Sequence, residues 1–224
     1  METFVMSESA IDRVNQLAEA YYFQRSEDEM SIYDWLDANY AMGHKSWRLL
    51  AKTEQPSYYW LLGIACQTQA PWKNKVRAYP EIYVPPLASE ANAASKSLFR
   101  LGAESGCRYS QYEYACIFLK RKDYSSAFNW FLASANQEFS PAMHAIGIFF
   151  LNSWSLPRSD YNQAFHWISR AAENGLCHSQ LTLALFYRDG IGVPQDIEEA
   201  RRRLHCLRST GHLEAGVYLR KLDE

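Results

Sequence analysis

Three triplets of residues at fixed offsets constrain this chain more than any other feature. Asp123, Ala127 and Trp130 recur as Asp160, Ala164 and Trp167, and again as Asp196, Ala200 and Arg203. Eight residues beyond each third position stand Glu138, Gly175 and Gly211, and four further on come the small residues Ala142, Ser179 and Ala215. A period of this length marks stacked supersecondary units rather than a single globular core. The register extends backwards through Ala91, Ser95, Leu98 and Gly106, and through Asp28, Ile32, Trp35 and Gly43, giving five copies. The glycine-equivalent positions 43, 106, 138, 175 and 211 are separated by 63, 32, 37 and 36 residues, so the first interval holds a unit plus an insertion.

Each unit reads as two amphipathic helices. In the second helix the Asp caps the first free amides, the Ala/Trp positions face inward, and the terminal Gly supplies a left-handed stop. The first helix carries its own stripe: Ala142, Ile146, Gly147 and Phe150, matched by Ser179, Leu183, Ala184 and Tyr187, and by Ser110, Tyr114, Ala115 and Phe118. Small residues in that stripe allow close helix contact. One pair of helices cannot bury both faces alone, so stability has to come from stacking. Composition agrees: seven Trp, 15 Tyr and 11 Phe fill a helical core, and ten glycines are too few for an all-β sandwich.

The segment Tyr187, Asp189 to Val193 (Asp-Gly-Ile-Gly-Val), Asp196, Ala200 and Gly211, preceded by Ala171 to Gly175, resembles the Sel-one-like repeat (SLR), a relative of the tetratricopeptide repeat. The resemblance is specific in the last two units and loosely covers residues 10 to 222. The Gly-x-Gly loop survives only in the last full copy; Asn152 to Ser159 replaces it in the copy before, and Leu119 to Lys122 shortens it earlier. The implied fold is all-α, a right-handed α-solenoid of about five helix-turn-helix units. Residues 1–224 are expected to form one domain, with residues 211–224 as a capping helix.

Between Gln67 and Ser89 the helical period stops. Pro71, Pro80, Pro85 and Pro86 stand there among Trp72, Lys73, Lys75, Arg77, Tyr79 and Tyr83. An inserted loop of this length and aromatic content is either an irregular cover over a groove or an arm that contacts a partner, and the two readings stand level.

Each candidate for chemistry competes with an ordinary packing role. Cys177 with His178, and His205 with Cys206 and His212, offer zinc-ligand types without a ligand spacing, so no metal is expected. Gly190-x-Gly192 follows a helix and lacks a third glycine or P-loop lysine; it is a turn rather than a phosphate cradle, and no cofactor is expected. Arg201, Arg202 and Arg203 follow Asp196, Glu198 and Glu199 at helical spacing and read as a solvated face. Trp35, Trp130 and Trp167 occupy one repeated position and read as core rather than a base-stacking ladder. Cys116 reads as a buried thiol rather than a nucleophile. With 23 basic against 25 acidic residues the chain lacks the excess that nucleic-acid binding needs, although residues 1–56 hold ten acids to five bases.

The five cysteines are odd in number and unpaired in spacing, which fits reduced, buried thiols. No basic, apolar leader opens the sequence, and no apolar run reaches the roughly 18 residues of a membrane span. A cytoplasmic protein with no membrane partner is expected.

By resemblance to tetratricopeptide units, the first helices line the concave side, and the exposed offsets fall two, six and nine or ten residues after the small landmark. They select Tyr112, Cys116 and Lys120; His144, Ile148 and Asn152; and Leu181, Leu185 and Arg188. In the looser early units they select Asn15, Glu19 and Tyr22, then Trp60 and Ile64. Such residues supply anchor contacts in protein interfaces, unless loops cover them. The leading expectation is a non-catalytic protein-binding solenoid, monomeric or weakly dimeric, that looks like bacterial immunity proteins occluding a cognate toxin or effector. A scaffold or adaptor in signalling or assembly is the alternative, and a metal-dependent hydrolase using the Cys177/His178/His205 region the third.

Overall fold

The computed structural model describes Asn15, residues 59–60, 63–64, 88–154 and 158–223. Among these residues there are eight α-helices and no strand. They are α1 (Ala88–Glu104), α2 (Arg108–Lys120), α3 (Tyr124–Ala135), α4 (Ser140–Asn152), α5 (Tyr161–Glu173), α6 (Cys177–Asp189), α7 (Ile197–Ser209) and α8 (Leu213–Asp223). Two compact units, 1–117 and 118–224, divide the chain. The earliest repeat copy, Asp28 to Gly43, and residues 67–87 of the expected insertion lie outside the described residues. Ala88 and Ser89, assigned to that insertion, open α1 instead.

In the second unit each helix packs on the next, from α3 through α8. Every second helix starts in the same way. Asp123, Asp160 and Asp196 accept a hydrogen bond at Oδ1 from the backbone amides of Ser126, Gln163 and Glu199, at 3.1, 3.0 and 2.9 Å. Each thereby satisfies one of the amides that a helix start leaves free. In the first unit the equivalent residue is Ala91, which has no oxygen to offer, and α1 begins three residues earlier at Ala88.

The ends repeat too. Gly106, Gly175 and Gly211 have φ of 89°, 86° and 97°, and Glu138, their equivalent, is left-handed at 60°. After the three glycines, the amides of Cys107, Leu176 and His212 reach back to the carbonyls of Gly102, Ala171 and Leu207, the six-to-one bond of a Schellman cap. First helices end on Lys122, Ser153 and Gly190, with φ of 61°, 56° and 70°. The N–H of the following capping Asp then donates to the eighth residue past each small landmark: Asp123 to Phe118 at 3.0 Å, Asp160 to Phe150 at 3.0 Å and Asp196 to Tyr187 at 2.8 Å. One backbone bond therefore closes loops of three different lengths.

The landmarks themselves are buried: Ser110, Ala142, Ser179 and Ala215 are each 0% exposed, as are Ala127, Ala164 and Ala200 on the second helices. Gly147 shows why small residues matter, because an added Cβ would stand 2.6 Å from Cγ1 of Ile168. Around it Ala164, Ile168, Ala172, Leu183 and Phe186 form one core cluster, flanked by Phe150 and Tyr187. Leu181, Ala184, Leu204, Leu207, Ala215 and Leu219 form the next. Phe149, Phe128, Phe131 and Trp154 fill the α3–α4 layer with ring centroids 5.4 to 5.9 Å apart. Trp167 is buried, with the Arg170 guanidinium 4.9 Å over its ring, and Trp130 is half-buried. Arg203, at the third such position, lies 5.1 Å over Tyr187 and bonds Glu199.

In the first unit, Trp60, Ile64, Phe99 and Tyr109 are buried, and the Trp60 and Tyr109 rings lie 5.5 Å apart.

Candidate protein-binding face

First helices carry the candidate face, and the structure sorts the positions selected on them by offset. In the second unit the sixth and tenth residues after the landmark of α4, Ile148 and Asn152, are half-buried and exposed. The sixth and ninth on α6, Leu185 and Arg188, are both half-buried. Lys120, at the end of α2, is exposed. Arg188 is held by a two-pronged bond to Asp189, with both contacts at 2.7 Å, and its guanidinium lies 5.8 Å over the Tyr218 ring. A cation fixed this way presents its charge in one direction.

The second residue after the landmark behaves differently. His144 on α4 bonds through Nδ1 to Ser179 Oγ at 2.9 Å, and its ring lies 4.9 Å from that of His178. Leu181 on α6 is 5% exposed and shares a core cluster with Ala215 and Leu219 of α8. This position is the seam where one first helix receives the next. Burial, and then the neighbouring His178, push the His144 imidazole down to about 4, so it is neutral at ordinary pH. Ser179 is fully buried, so its bond to His144 joins two helices and offers no accessible nucleophile.

In the first unit Tyr112 and Cys116 are half-buried on α2. Trp60 and Ile64, at 1% and 0% exposure, lie in the interior rather than on a face. Asn15 is half-buried, and its carbonyl accepts a hydrogen bond from the Tyr109 hydroxyl at 3.4 Å. Glu19 and Tyr22, with Trp72, Lys73, Lys75, Arg77, Tyr79 and Tyr83 of the insertion, lie outside the described residues.

One repeated contact escaped the sequence reading. Gln111 and Gln180, each directly after a landmark, donate from Nε2 to the carbonyls of Ala103 and Ala172, both at 3.3 Å, and so bind a first helix to the end of the helix before it. Their identity at matching places was the available signal. Among the described residues no three His, Cys, Asp or Glu side chains converge as metal ligands. The four described cysteines form no disulfide; of the buried thiols expected, only Cys107 is buried, while Cys116 and Cys177 are half-buried and Cys206 is exposed. The arginine row meets its acids as its spacing predicts, Arg201 with Glu198 at 3.8 Å and Arg202 and Arg203 with Glu199 at 2.7 and 2.6 Å. No helix among the described residues is long and apolar enough to cross a membrane.

Residues 95–139, 140–176 and 178–202 match the family model of the Sel1 repeat. Among solved structures, a Sel1 repeat protein from Oxalobacter formigenes is 24% identical, with a TM-score of 0.50 over 55% of this chain and 95% of that one. A protective antigen of uropathogenic Escherichia coli strains, displaying an SLR fold, is 21% identical, with a TM-score of 0.57 over 93% of this chain. This chain spans 50% of that antigen's length. No curated protein matches.

Proposed function

We propose that this Sel1-repeat chain is a non-catalytic protein-binding module that engages its partner through the first helices of successive repeats. The observation that carries the reading is the recurrence of a partly open apolar residue, Ile148 and then Leu185, at the same place in consecutive repeats, beside Asn152 and the fixed cation Arg188. An apolar anchor bordered by polar groups is the usual anatomy of an interface centre. In its finer form the partner is a toxin or effector of a bacterial cell, whose working surface the module occludes in the manner of an immunity protein.

The test is affinity capture from the native host, with mass spectrometry, using the wild-type chain and an Ile148→Asp/Leu185→Asp variant of unchanged circular dichroism. A partner recovered at one-to-one ratio with the first and lost with the second supports the face. A partner retained by the variant places binding elsewhere. If the captured protein is a toxin inhibited at that ratio, the occlusion reading stands; if it keeps its activity while bound, the chain is a scaffold.

A further inference from the structure

On α4 and α6 the residue two places after the small landmark is contacted by the first helix of the next repeat, which leaves His144 half-buried and Leu181 buried. His144 meets Ser179, and Leu181 lies in one cluster with Ala215. On α8 that position is Val217, and it is 43% exposed; Leu213, one turn earlier, is 87% exposed. By helical spacing Leu213, Glu214, Val217, Arg220 and Lys221 share one face, and all five are exposed.

The charge order on that face is acid first, bases last. Run against itself with a two-fold axis at Val217, it sets Val217 on Val217, Glu214 opposite Arg220, and Leu213 along the aliphatic stem of Lys221. Parallel alignment would set like charges together. The geometry points to a second copy of this chain as the occupant: an antiparallel, isologous pairing of α8 with α8. The apolar part is small, which makes this a weak, concentration-dependent dimer.

Sedimentation velocity on the full chain, from about 5 μM to about 500 μM, tests it across the range where a small interface associates. The expected result is a rise from the 25.9 kDa monomer toward twice that mass. Val217→Glu should weaken association about tenfold or more, since it buries a charge at the axis. Glu214→Arg and Arg220→Glu should each weaken it, and the two together should restore it, because both symmetric pairs are then re-formed with inverted sign. Circular dichroism of all variants checks that these exposed substitutions leave the fold intact. A chain that stays monomeric throughout, a dimer indifferent to Val217→Glu, or a double charge variant no tighter than the single ones each overturns the proposal.

Discussion

His144 and Ser179, 35 residues apart in sequence, meet at 2.9 Å across the seam between α4 and α6, and the histidine does so as a neutral ring. Its folded value, about 4, lies below the 6.5 of an exposed imidazole. The unfolded chain therefore takes up this proton first, and stability depends on pH with a definite sign. It is complete above about pH 6.5 and is lost progressively as the pH falls from there toward 4, by up to about 3 kcal/mol. Urea unfolding of the wild type and of His144→Asn, at pH 7 and pH 4.5, checks this; the variant should show the smaller decline.

Two left-handed glycines make a contrast. Gly192, φ +67°, has the Tyr161 carbonyl oxygen 2.0 Å from where a Cβ would stand, so the α6–α7 loop rests directly on the start of α5. Gly175, φ +86°, has nothing within 4 Å. Gly175→Ala should cost about 1 kcal/mol, from the backbone conformation alone. Gly192→Ala should cost about 3 kcal/mol, because a backbone carbonyl must also move. Denaturant midpoints for the two variants measure the difference, and equal losses would contradict it.

Glu138 holds the glycine place of its repeat with φ of 60° and bonds Arg170, which also covers Trp167. A left-handed glutamate costs about 1 kcal/mol, and a solvent-exposed ion pair returns less than that. Glu138→Gly is therefore expected to stabilise the chain by about 0.5 kcal/mol. The gain should be larger in 0.5 M salt than at low salt, because salt screens only the pair that the substitution removes. Thermal unfolding at the two salt concentrations reads both effects.

The register of the last four copies, the Asp caps, the glycine stops and the buried small landmarks are legible in the sequence. Each rests on a local rule about one residue type at one backbone conformation. Legibility ended where a position depends on what stacks upon it. Analogy with a wider family puts His144 and Leu181 on an open groove, but in this chain α6 bonds the half-buried His144 and α8 packs on the buried Leu181. Spacing puts Ala91 at a helix start; without a capping oxygen nothing stops the helix there, and α1 begins earlier. Gln111 and Gln180 stand at the same place in their repeats, but a glutamine beside a buried landmark does not by itself say which carbonyl its amide reaches.

The backbone bond from each capping Asp to the eighth residue beyond the landmark spans four, nine and eight intervening residues in the three successive repeats. Loop closure costs grow only slowly with such lengthening, so the ends stay pinned whatever runs between them. Repeats of unequal length can thus share one register, because the point at which each second helix is tied back to the first does not depend on how many residues run between them.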